Sequence, residues 1–223
     1  MELPTETHAV EIHPMILGIL ALLLLPPFAA IAQDTPPDPM SLRTRDSHQD
    51  LLIVADPYIA ADRYKDTFGK HSPYAAGIVA IEVYFRNDNN TPIRLNLNTI
   101  RLMISLPGVE RQRLEPLSPE DVADRTLLKG GSSPRGQRPF PFPNSSNGKS
   151  KAWNEMDLML RSVAISSDIL PPLGGTHGFL FFDMDHDFQA IRHARLYIPD
   201  LVFMTTNKAL FFFEIDLGAA SAK

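Results

Sequence analysis

From Ile78 to Arg86 apolar and polar positions alternate. Val79, Ile81, Val83 and Phe85 fall on one face, while Glu82 and Arg86 fall on the other. This is the period-two pattern of a half-buried strand. The cluster Asn87 to Pro92 follows, and its residues tolerate left-handed φ or preset φ, so the chain reverses there. A second apolar set, Ile100, Leu102 and Ile104, runs out of phase with Ile93, Leu95 and Leu97. The phase change across Asn98 and Thr99 predicts a bulge, or a strand that crosses to another sheet.

The same reading extends in both directions. Leu51 to Ala55 is a short apolar strand stopped by Asp56 and Pro57, and residues 58–76 read as irregular, broken by Gly69, Pro73 and Gly77. Gly178 to Phe182 is apolar on both faces and reads as a central strand. Arg195 to Ile198 is another strand, and Ala209 to Leu217 alternates as a final one. Short strands separated by turn residues predict a mainly β fold, an antiparallel β-sandwich with a core from residues 51–106 and 169–217. Val79, Ile81, Val83, Phe85, Phe211, Phe213 and Ile215 are expected to point inward.

Residues 108–168 break the pattern and read as a helical insertion. Ser118-Pro119-Glu120-Asp121 supplies an N-cap, a proline at the first helical position and an acid at the third. That helix is expected to reach about Leu128. Residues 129–151 carry Lys129, Arg135, Arg138, Lys149 and Lys151 with no acid and almost no aliphatic residue, and read as a disordered basic loop. A second helix is expected over 152–166. Its apolar arc holds Trp153, Met156, Leu160 and Val163, which leaves Leu158 and Ile165 on the far side.

Composition adds a compartment. Met15 to Leu25 is a continuous apolar run of 11 residues, and Ala30-Ile31-Ala32 before Gln33 fits a small-x-small cleavage site. Residues 1–32 therefore read as a signal peptide cleaved near Ala32-Gln33, residues 33–50 as a flexible spacer, and residues 51–218 as a single domain. The run falls short of the roughly 20 residues of a membrane helix. A retained membrane anchor and a buried helix are the alternatives. Residues 1–14 hold Glu2, Glu6 and Glu11 and no Lys or Arg, unlike the usual basic start, and initiation at Met15 would remove that departure. The chain has no cysteine, which excludes disulfides, thiolate-bound zinc and lipid attachment at a lipobox. Losing the three leader glutamates takes the formal charge from −5 to about −2. A near-neutral domain gives no reason to expect a nucleic-acid partner.

The segments GIVAIEVYFRN, NNTPIRLNLNTIRL, LPPLGGTHGFLFFD and KALFFFEIDL, in this order, resemble small immunoglobulin-like β-sandwich domains of unknown function in exported bacterial proteins. The resemblance covers about residues 50–107 and 169–218 and leaves the 108–168 insertion outside. It implies an immunoglobulin-like fold and an exported setting, and carries over no catalytic or binding residue.

The sharpest polar cluster is Asp183, Asp185, His186 and Asp187, whose alternate carboxylates resemble the start of a calcium loop. The sixth position is Phe188 rather than Gly and the twelfth Ala194 rather than Glu, so a solvated turn is the competing reading. No G-x-S-x-G or phosphate-loop signature is present, and no catalytic residue or cofactor is expected. For partner binding the candidates are Arg135 and Arg138 beside Phe140 and Phe142, which prolines hold extended, together with Leu158 and Ile165. The expectation is an exported, non-enzymatic domain acting through surface contacts. Its partner would be a protein, an envelope polysaccharide or an anionic surface, with membrane contact only if the leader is uncleaved. The alternatives are an extracytoplasmic metal-dependent enzyme or metal-binding protein using Asp183, Asp185, His186 and Asp187, and a membrane-tethered envelope component.

Overall fold

The computed structural model describes residues 38–127 and 150–221, which fall in one compact unit. Twelve strands follow in chain order. They are β1 (Arg45–His48), β2 (Leu51–Tyr58), β3 (Ile78–Asn87), β4 (Ile93–Arg94), β5 (Arg101–Ile104), β6 (Gln112–Leu114), β7 (Ile169–Leu170), β8 (Gly174–Asp183), β9 (Ala194–Ile198), β10 (Val202–Phe203), β11 (Lys208–Ala209) and β12 (Phe213–Asp216). Among the described residues three α-helices accompany them: α1 (Ala61–Phe68), α2 (Pro119–Leu127) and α3 (Lys151–Val163). The strands form three antiparallel sheets in the orders β1-β2-β3-β8, β11-β10-β4-β7 and β12-β9-β5-β6. The fold is thus mainly β, with few helices, and consistent with a β-sandwich. Among the described residues no helix is long and apolar enough to cross a membrane.

The alternation read from the sequence sets the inner face of the first sheet. Ile53 opposes Phe85, Val79 opposes Phe182 and Ile81 opposes Leu180. These residues share one core with Ile93 and Leu170 of the second sheet and with Leu102, Ile104, Leu196, Phe213 and Ile215 of the third. The phase change at Asn98-Thr99 is a crossing between sheets. β4 belongs to the second, β5 to the third, and a 3₁₀ turn at Leu97–Thr99 joins them.

The helices build a second core on the outer face of the first sheet. Tyr64 and Phe68 of α1, Val122 and Ala123 of α2, and Trp153, Met156 and Leu160 of α3 pack with Ile78, Ala80, Phe179 and Phe181. α2 starts as expected, with Ser118 Oγ accepting from the Asp121 N–H at 3.1 Å and the Asp121 carboxylate accepting from Ser118 Oγ at 2.6 Å. Trp153 is in the core, and its Nε1 donates to Asp124 Oδ1 at 2.6 Å.

Several expectations are corrected. Residues 45–48, placed in the spacer, are β1 and pair with β2. β2 runs through Pro57. The Ala55 N–H donates toward β1, to the Thr44 carbonyl at 2.9 Å. The nitrogen of Pro57 faces the same side but lies past the end of β1, where no ladder bond is lost. The region 58–76 contains α1, whose i,i+4 pair Tyr64 and Phe68 is buried. The insertion is shorter than 108–168, because β6 pairs with β5 in the third sheet. The second helix ends at Val163, and Ile165 is 8% exposed within the main core. Gly178 permits this, since a Cβ there would stand 2.8 Å from the Ile165 nitrogen as the chain runs alongside β8.

Phe211 points outward and is 74% exposed. The chain changes sheets between β11 and β12, and side chains rather than a ladder hold it there. The Phe211 N–H donates to Gln49 Oε1 at 2.8 Å, and His48 Nε2 lies 3.2 Å from the Phe212 carbonyl oxygen. Alternation therefore begins only at Phe213.

Candidate functional site

The helices cover only part of the outer face of the first sheet, and a polar and aromatic cluster stands beside them. Glu82 sits mid-sheet on β3, opposite Asp56 on β2 and Phe179 on β8. Two carboxylates directly opposite repel, and each has its own partner here. Arg63 of α1 binds Asp56 through two hydrogen bonds of 2.8 and 2.7 Å. The same guanidinium lies over the Tyr58 ring, 3.8 Å from its centre. Glu82 accepts from the Tyr58 hydroxyl at 2.9 Å through Oε2, and its Oε1 lies 3.5 Å from His177 Nδ1. The His177 ring stacks on Tyr84 with centres 5.3 Å apart.

Burial grades across this cluster. The Glu82 side chain is 14% exposed and that of His177 66% exposed, so a half-buried carboxylate carries an accessible imidazole. Burial raises the Tyr84 hydroxyl above the ordinary tyrosine value, with the nearby Glu82 acting in the same direction. Burial likewise raises Tyr58. Both hydroxyls therefore remain protonated donors well beyond neutral pH. The Asp56 carboxylate raises Arg63, which holds its charge. The cluster is a floor of donors, acceptors and aromatic rings, positioned by β2, β3, β8 and α1.

Sequence reading missed this site. Its signals were Glu82 interrupting an apolar strand and Asp56 and Tyr58 flanking Pro57. Neither reveals a partner more than 90 residues away such as His177.

The residues singled out from sequence stand elsewhere. Asp183 pairs with Arg125 of α2 and accepts from the Asp185 N–H at 3.1 Å. Asp185 and His186 occupy left-handed backbone, with φ of 47° and 66°. Asp187 caps the following 3₁₀ turn by accepting from the Ala190 N–H at 3.3 Å. Gly77 packs under this turn, where a Cβ would meet the His186 nitrogen at 2.6 Å. Among the described residues, no three His, Asp or Glu side chains gather to hold a metal ion. Leu158 is 68% exposed, whereas Ile165 is buried and unavailable for docking. Arg135, Arg138, Phe140 and Phe142 lie outside the described residues.

Comparison with family models, curated proteins and solved structures finds no match.

Proposed function

We propose that this chain is an exported, non-enzymatic domain of immunoglobulin-like type that binds an envelope polysaccharide through the open part of its first sheet. The leader-like residues 15–32 and the strand motifs support the exported, immunoglobulin-like setting. The observation that carries the binding surface is the half-buried Glu82, held between the Tyr58 hydroxyl and His177, with Tyr84 stacked alongside.

This arrangement suits a hydroxyl-rich ligand. Tyrosine supplies rigid amphipathic contact area at low entropic cost, and the carboxylate and imidazole supply directional hydrogen bonds. Two carboxylates on the face disfavour an anionic surface. The polar groups are already engaged with one another, which supports a positioned binding floor over proton-transfer chemistry.

Affinity electrophoresis through gels containing neutral or acidic polysaccharides tests the proposal. Retardation that Tyr84→Ala and Glu82→Gln each weaken supports it. Unretarded migration in every gel overturns it.

A further inference from the structure

At one end of the second sheet, β4 lies between β10 and β7. Beyond Arg94 it leaves the sheet through Leu95 and Asn96 into the turn at Leu97–Thr99. A cleft of about 410 Å3 opens there, lined among others by Arg94, Asn96, Asn98, Asp168 and Asp200. That volume is within the range of small-molecule sites.

The charges in this cleft do not satisfy one another. Among the described residues, Arg94, Asp168 and Asp200 are solvent-exposed, and their side chains make no hydrogen bond or ion pair. The backbone holds them on separate segments. Asp168 precedes β7, where its carbonyl oxygen accepts from the Leu95 N–H at 2.8 Å. Asp200 lies in the turn before β10, in left-handed backbone with φ of 57°. β10 and β7 flank β4, so the two carboxylates come from opposite sides of the strand that carries the guanidinium.

Both signs of charge lining one cleft without pairing point to a ligand that carries both signs. The cleft holds one guanidinium and two carboxylates, so a matching ligand has one carboxylate and two cationic groups. Guanidinium binds carboxylate in a bidentate geometry that an ammonium cannot reproduce. The Asn98 amide, and the Asn96 amide whose Oδ1 accepts from the Asn98 N–H at 3.2 Å, add neutral polar groups to the lining. We propose that this cleft binds a free basic amino acid of the lysine or arginine class. Its α-carboxylate pairs with Arg94, and its two cationic groups with Asp168 and Asp200. The site is separate from the Glu82 cluster and does not rest on the polysaccharide reading.

Isothermal titration of the full chain with L-lysine tests this. L-Lysine is expected to bind, and lysinamide, which lacks the carboxylate, to bind about tenfold more weakly. Arg94→Ala should weaken L-lysine by about the same factor without weakening lysinamide, since it removes a like charge from that ligand's site. Asp168→Asn and Asp200→Asn should each weaken L-lysine about tenfold. Asn tolerates the left-handed backbone at position 200, so that variant keeps the turn. Tyr84→Ala should leave L-lysine binding intact. The proposal is overturned if L-lysine at about 10 mM gives no binding heat, if lysinamide binds equally well, or if Arg94→Ala has no effect.

Discussion

Tyr64→Phe removes one hydroxyl from the junction between the helical layer and the candidate site, and leaves the ring in place. Tyr64 is fully buried on α1. Its hydroxyl lies 2.7 Å from the Tyr58 carbonyl oxygen and 3.2 Å from that of Ile78, and accepts from the Ala80 N–H at 2.9 Å. Tyr58 and Ala80 are cross-strand partners on β2 and β3, so the hydroxyl pins the end of that ladder next to Glu82. The substitution opens almost no cavity, and the cost is that of stranded polar groups. An unpaired buried group costs about 1–3 kcal/mol; with one donor and one acceptor affected, the expected loss is about 2–6 kcal/mol. That is a large share of a typical 5–15 kcal/mol and corresponds to a drop of about 4–24 °C in Tm for a domain of this size. Urea unfolding followed by fluorescence of Trp153, the only tryptophan and a member of the same core, reads this directly. The slope should stay constant while the midpoint falls. A loss below about 0.5 kcal/mol would refute the reasoning, because the ladder end would then be held without the hydroxyl.

Burial raises the Tyr64 hydroxyl far above the ordinary tyrosine value. The unfolded chain therefore releases that proton first, near pH 10, while the folded chain keeps it. Stability should fall above that pH by about 1.4 kcal/mol per unit from this group, and unfolding curves of Tyr64→Phe between about pH 9 and 11 should lack that share. Phe213→Ala should cost about 3–5 kcal/mol, since Phe213 is fully buried and stacks on His48 at 3.7 Å. Phe211→Ala should stay within about 0.5 kcal/mol; equal effects in denaturant titrations would mean the strand register is inverted. Ile165→Asp should prevent folding by burying a lone charge, whereas Leu158→Asp should leave the thermal transition unchanged, both read by circular dichroism. Glu82→Gln should weaken polysaccharide retardation about tenfold without moving Tm.

Local signals carried the fold where the rule was local. The alternation from Val79 to Phe85 states which side chains face the core, and the reserved chemistry at Ser118-Pro119-Glu120-Asp121 states where α2 begins. Ile165 shows where that reading stops. Its helical phase placed it opposite Trp153, but the helix ends at Val163. Beyond that point Ile165 runs alongside β8 into the main core. α1 was hidden for a related reason. Its eight residues contain one buried i,i+4 pair, too little periodicity to separate it from a loop bounded by glycines and prolines.

The candidate site was illegible because no sequence window contains it. Asp56 and Tyr58 come from β2, Arg63 from α1, Glu82 and Tyr84 from β3, and His177 from β8. Each alone reads as a solvent-facing residue, and only the register of the first sheet brings Glu82 between Tyr58 and His177. The acidic cluster at 183–187 fails for the opposite reason. Its residues are adjacent in sequence, yet a turn with two left-handed positions spreads them over an ion pair, a cap and solvent. Proximity along the chain concentrates charge, whereas a binding floor needs side chains that point the same way. In a sheet, that direction is fixed by cross-strand pairing. The Glu82 cluster meets this condition, and the polysaccharide binding proposed for it should therefore be sensitive to register. A change that slips β3 against β8 by one residue would turn Glu82 into the core and abolish binding and folding together.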